Sequence, residues 1–271
     1  MRHFWLILAL LLAPEPARDL EWITISTRYQ MKKRFFALTL TLALPFTANA
    51  ESSFAPLSMQ HKAHVELGTG MASGNIDNQN YSVKGGVVSS AGEYTNNLKL
   101  SYSDNDTNSG TTEAIYKVND KLKYAIGSDG YAYGEGEYIS NDPAGIDSRM
   151  TGVVGYGHNL ITKESLNIAG EAGIGYRDST YSAGLADESS SVAKVGTIID
   201  WHVYDGVDLN NTTHVAVTEE NITTTSDTSV KTFVYDNAYV KGGVEVENNS
   251  ETPTGAKGTD TVTSVAVGYE F

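Results

Sequence analysis

The 271 residues carry 19 Lys+Arg against 33 Asp+Glu, a formal net charge of −14, and repulsion on that scale disfavours sequence-independent binding to nucleic-acid phosphates. There is no cysteine, which removes disulfides and thiolate metal sites and suits a chain that stays unfolded while crossing an oxidising compartment. Beyond residue 50 Pro is rare, while Gly, Tyr, Thr, Ser and Asn are frequent, a balance that favours strands and turns over helices in one large domain.

Residues 31–50 read MKKRFFALTLTLALPFTANA. Three consecutive basic residues precede an apolar run, and a small-x-small site, Ala48-Asn49-Ala50, closes it. This is the layout of a secretory signal, so the mature chain is expected to begin at Glu51. The apolar run is too short to span a bilayer as a helix, which takes about 20 residues. A second apolar run, residues 4–13, stands ahead of it. A signal peptide rarely sits thirty residues inside a chain, so residues 1–30 read as upstream sequence carried in frame, with an extended leader as the alternative. Without residues 1–50 the net charge becomes −17. Residues 51–61 are expected to form a short periplasmic segment, and 62–271 a single barrel.

From residue 62 onward apolar and polar residues alternate in segments of about ten, punctuated by turn residues. Strands are expected at 62–72, 80–91, 94–104, 111–127, 130–141, 148–160, 164–178, 189–204, 207–221, 228–235, 238–248 and 260–271. The even connections are tight: Gly92-Glu93, Asp129-Gly130, residues 161–163, Asp205-Gly206 and Asp236-Asn237. Asp-Gly supplies the positive φ of a two-residue hairpin cheaply. The odd connections are longer and polar, among them 105–110, 142–147, 179–188 and 249–259. Short periplasmic turns with longer outer loops belong to an outer-membrane barrel. The fold class expected is therefore all-β: a transmembrane antiparallel β-barrel of about twelve strands behind a cleaved signal peptide.

A soluble β-sandwich or lipocalin-like barrel would also alternate, but it would put its large apolar residues inside. Here one face of the strands is thin in Phe, Leu and Ile and carries Gly beside scattered charges. A barrel in lipid inverts the usual arrangement, and closure satisfies the backbone where no water is available.

The stretch from Tyr138 to Tyr176 contains Asn141-Asp142, Gly145-Ile146-Asp147-Ser148-Arg149, Gly155-Tyr156-Gly157 and Glu171-Ala172-Gly173, leading to Gly175-Tyr176-Arg177. The chain ends with Lys257-Gly258-Thr259-Asp260-Thr261 and then Gly268-Tyr269-Glu270-Phe271. On these motifs it resembles the YdiY-like proteins, salt-induced outer-membrane proteins of unknown molecular function. The resemblance implies location and fold and gives no substrate.

In the last strand Val265, Val267, Tyr269 and Phe271 share one face. That alternation ending on Phe looks like the assembly signal read by the barrel-assembly machinery through strand addition at an exposed edge. Partners expected are the export and assembly machineries, outer-membrane lipid and lipopolysaccharide, whose phosphates acidic loops would meet through shared divalent ions. No cofactor is expected. Asp104-Asn105-Asp106 lacks the closing Glu of a calcium loop, and the G-x-G pairs lie inside strands with no helix to follow, so they are not phosphate loops.

His64, His202 and His214 fall on the inward face, and no metal-binding spacing links the histidines. His158, near the periplasmic end, is the one position worth naming for lipid-modifying catalysis, and no orienting partner accompanies it. The inward face is expected to carry Glu66, Lys84, Lys99, Glu113, Lys117, Glu171, Arg177, Lys194, Asp200, Asp208, Lys231, Lys241, Glu245, Glu247 and Glu270. Charges of both signs line a water-filled path or close it by pairing. The leading expectation is a small passive, modestly cation-preferring channel in the outer membrane. A closed structural or surface-interaction barrel comes second and a lipid-modifying enzyme third.

Overall fold

In a computed structural model the described residues are 59–271 without 75–77, 107–111, 183–185 and 253–256. The expected signal peptide, its cleavage residues Ala48, Ala50 and Glu51, and the upstream stretch lie outside them. The described chain forms twelve strands: β1 (Gln60–Ser73), β2 (Asn78–Ala91), β3 (Tyr94–Asp106), β4 (Thr112–Ile126), β5 (Gly130–Asn141), β6 (Ile146–Thr162), β7 (Leu166–Tyr181), β8 (Glu188–Tyr204), β9 (Val207–Val217), β10 (Ile222–Tyr235), β11 (Ala238–Asn249) and β12 (Thr259–Glu270). Each pairs antiparallel with its sequence neighbours, and β1 pairs with β12, so the sheet closes on itself. Closure removes the free edge that hydrocarbon would leave unpaired.

Alternation decides which side chain faces which solvent. On β1, Val65, Leu67 and Met71 are exposed outward, whereas the intervening Glu66 is 4% exposed. On β12, Val265, Val267 and Tyr269 face outward. Two belts of exposed aromatic rings mark the ends of the apolar band. Tyr94, Tyr124, Tyr156, Trp201, Tyr235, Tyr269 and Phe271 lie toward the end with tight turns, and Tyr81, Tyr116 and Tyr176 toward the other. Aromatic rings favour such boundaries because they are apolar in body and tolerate water at the rim.

The connections at one end are two or three residues long and those at the other four to nine. Gly206 (φ 77°) and Asp236 (φ 40°) take the left-handed conformation that two-residue hairpins require. Two tight turns fall elsewhere than the sequence suggested. The β4–β5 turn is 127–129, with Gly130 already in β5, and the β6–β7 turn is 163–165 because a bulge between Asn159 and Ile161 lengthens β6. Asn105 and Asp106, expected in the connection after β3, continue that strand, and β1 begins at Gln60 rather than 62.

The largest correction is β10, which starts at Ile222 and not at 228. After Ile222 its first half reads Thr-Thr-Thr-Ser-Asp, without apolar alternation. These residues hold a strand because hydroxyls and an amide bond laterally. Thr213 Oγ1 and Ser226 Oγ lie 2.9 Å apart, Asn211 Nδ2 donates to Thr228 Oγ1 at 2.8 Å, and Thr213 Oγ1 donates to Asn211 Oδ1 at 3.1 Å. The first two bonds join β9 to β10 and the third braces Asn211 within β9; such polar contacts replace apolar ones as the glue of the sheet.

Candidate functional site: the charged lumen

The strand alternation that puts valines outside turns a set of charged and aromatic side chains inward, and register brings them together in clusters. In the central cluster, Lys121 Nζ lies 2.7 Å from Glu171 and 3.2 Å from Glu135, and Lys194 Nζ lies 2.9 Å from Glu135. Lys123 reaches Glu171 at 3.5 Å, and Asn119 Nδ2 donates to Glu135 at 2.8 Å. Lys121 and Glu135 are register partners on neighbouring strands, whereas β4 and β7 are three strands apart, as are β5 and β8, so the contacts of Lys121 and Lys123 with Glu171 and of Lys194 with Glu135 reach across the interior. The carboxylates are 7–8% exposed. Charges held this deep are tolerated when each is paired and further hydrogen-bonded.

Tyrosines line the wall beneath this cluster. Tyr131 Oη donates to Glu171 at 2.8 Å, Lys123 Nζ lies 4.4 Å from the Tyr131 ring centre, and Lys121 lies 4.7 Å from that of Tyr133. Cations over ring faces in a partly desolvated place add to the pairing. The rings lie against the wall because their register partners on the neighbouring strand β6, Gly157 and Gly155, are glycines. A methyl group at Gly157 would run into the Tyr131 ring, and one at Gly155 into Tyr133.

A second cluster sits toward the end with tight turns. Tyr239 Oη donates to Glu66 at 2.9 Å, Lys241 Nζ lies 3.1 Å from the same carboxylate, and the Tyr239 ring rests on Gly268. Lys231 bridges Glu270 at 2.8 Å and Asp208 at 3.2 Å, and His202 Nδ1 meets Asp208 at 2.8 Å.

The third contact lies in the other half of the barrel. Lys117 on β4 meets Glu245 on β11 at 2.9 Å. These strands are five apart in one direction and seven in the other, so the pair forms a strut between nearly opposite walls.

Among the expected luminal residues, Glu66, Lys117, Glu171, Lys194, Asp208, Lys231, Lys241, Glu245 and Glu270 enter these ion pairs. Asp200 accepts from Asn210 Nδ2 at 2.7 Å, and Arg177 donates to Thr151 at 3.4 Å. Lys84, Lys99 and Glu247 share the inward register and have no ion pair among the described residues. The Glu113 side chain lies outside the described set. Sequence reasoning missed Lys121, Lys123 and Glu135. The signal was available, since Lys121 and Lys123 keep the period of Lys117. The flat tyrosines had no such signal, because a Tyr at a strand end reads equally well as a girdle residue.

Two histidines face outward beside hydroxyls. His61 Nδ1 lies 2.9 Å from Ser89 Oγ, and His158 Nδ1 lies 3.4 Å from Tyr156 Oη. Among the described residues neither imidazole has a carboxylate or amide on its second nitrogen, so neither has the orienting partner of a hydrolytic triad.

A family model described as "Protein of unknown function, DUF481" matches residues 65–271. The chain belongs to the DUF481 family. The YdiY-like resemblance is consistent with it, and the match spans the whole barrel beyond the first five residues of β1. No curated protein matches the sequence. Among solved structures, the NanC porin aligns at a TM-score of 0.52 and 11% identity, covering 76% of this chain and 98% of the porin. The COG4313 outer membrane channel from Pseudomonas putida F1 (TM-score 0.47, 10% identity, 80% and 97% covered) and the KdgM porin (0.46, 14%, 77% and 99%) align less closely. At this identity the likeness is one of fold. This chain has the fold of a porin-like barrel.

Proposed function

We propose that this protein is an integral outer-membrane barrel, exported by the signal in residues 31–50, that works as a small passive channel with a modest preference for cations. The observation that carries the reading is the kind of group the strands turn inward. Carboxylates, lysines, amides and hydroxyls line the interior, and a barrel with a purely structural role gains nothing from desolvating so many charges. The tight turns would face the periplasm and the longer connections the cell exterior. The strut between Lys117 and Glu245 divides the path, which keeps conductance small. Cation preference follows from the mature excess of acidic residues, with Glu219 and Glu220 in the outer β9–β10 turn and Glu245 and Glu247 on β11.

Planar-bilayer recording on protein purified from outer membranes tests this. Discrete small steps with a reversal potential on the cation side under a KCl gradient are expected. Electrical silence would leave a closed structural barrel, and release of fatty acid from the bilayer an enzyme. Intact mass of the same preparation is expected to start at Glu51, and a mass that includes residues 31–50 would overturn the signal assignment.

A further inference from the structure

The described barrel contains two arginines, Arg149 on β6 and Arg177 on β7. In the β6–β7 ladder Arg149 stands opposite Ser179, and Arg177 opposite Thr151. The two guanidinium groups therefore project from the same inner face, one step apart, in the half of the lumen nearer the long connections. Arg149 Nε donates to Ser179 Oγ at 3.1 Å and its Nη2 to Tyr181 Oη at 3.4 Å, while Arg177 makes the single contact to Thr151. Among the described residues neither has a carboxylate within 4.0 Å. That contrasts with Lys117, Lys121 and Lys194, which reach carboxylates across the interior. On the next strand Ser190 is the register partner of Arg177. It is 4% exposed, and its Oγ has no hydrogen-bond partner.

Two like charges side by side raise each other's energy, and a buried hydroxyl without a partner adds to the cost. A guanidinium presents five N–H donors in a rigid fork that matches the oxygens of a carboxylate or a phosphate. We infer that Arg149 and Arg177, with Ser190 beside them, form a subsite in the outer half of the lumen for an oxyanion, the carboxylate or phosphate group of a small solute. The assignment rests on the lumen being a solute path. Glu137, Glu188 and Glu247 act on Arg177 from longer range, and Glu188 is engaged by Tyr181 Oη at 3.1 Å. Their field weakens the hold on an anion, and a site on a conduction path has to release what it binds. A lumen that favours small cations thus holds one place where an anionic solute pauses.

The test is calorimetric titration of the detergent-solubilised protein with inorganic phosphate and, separately, with acetate. Saturable binding of one or both oxyanions is expected. Arg149→Gln and Arg177→Gln should each weaken it about tenfold or more, and Arg177→Lys, which keeps the charge and loses the fork, should fall between wild type and Arg177→Gln. Lys99→Gln, which removes a luminal cation elsewhere, should change it much less. Retained heat-modifiable mobility in electrophoresis establishes that each variant is folded. Absence of saturable binding in the wild type, an equal loss in Lys99→Gln, or wild-type binding in Arg177→Lys would overturn the subsite. Conduction is read separately. Current without saturable oxyanion binding would leave the channel and remove the subsite. Binding without current would overturn the channel and keep the anion site.

Discussion

Single residues in this wall differ sharply in what they tolerate, and the glycines display it best. Gly175 faces the backbone carbonyl of Gly152 with no room for a methyl group, whereas Gly134 opens on empty space. Gly175→Ala is expected to destabilise the barrel by about 1–3 kcal/mol, the usual cost of overpacking, and Gly134→Ala to leave it nearly unchanged. Urea titration in lipid vesicles compares the two. Trp201 gives a second expectation. It is exposed on the outer face and lies four residues before the tight turn at Asp205-Gly206. Its fluorescence should be quenched by labels at the interface and spared by labels at mid-bilayer; the reverse order would contradict the orientation of the barrel. Only one of these two properties had a trace in the sequence. Trp201 shares a face with Ile199 and Val203, and its place follows from alternation alone. The contrast between the glycines does not, because it depends on which neighbour lies across the strand pair.

At the scale of elements, the strands with apolar alternation were legible and those without it were not. β5, β11 and β12 match their expected bounds within a residue, whereas β10 begins six residues early because threonine hydroxyls, not valines, hold its first half. The luminal charges were legible one at a time through the period of two. Their partners were not, since a contact such as Lys117 with Glu245 needs the curvature of the closed sheet. That strut carries a prediction. Removing both charges, Lys117→Gln with Glu245→Gln, should raise single-channel conductance above wild type. Glu245→Gln alone leaves Lys117 uncompensated and should shift selectivity toward anions more than Glu247→Gln does. Reversal potentials and step sizes from the three variants decide the order.

For the molecule as a whole, selectivity and assembly follow from the same closed wall. Any cation preference should fade with added salt, since the Debye length shrinks from about 30 Å at 0.01 M to about 3 Å at 1 M. A preference unchanged across that range would point to a geometric filter instead. Assembly depends on the seam between β1 and β12, where Phe271 N donates to Ala63 O at 2.8 Å. Deleting Phe271 should slow appearance of the folded, heat-modifiable band far more than Glu219→Gln in the β9–β10 turn. Eleven of the twelve strand pairs join neighbours in the chain, and each closes through a connection of two to nine residues. The twelfth joins His64 to Glu270, a loop of about 200 residues whose closure entropy no single turn offsets. Folding in this barrel is therefore local everywhere except at one seam, and until that seam forms, two unsatisfied strand edges stand open to any other strand. The interval between the last hairpin and the seam is when the protein is most exposed to pairing with a second copy of itself, and a helper that holds either edge during that interval governs the yield.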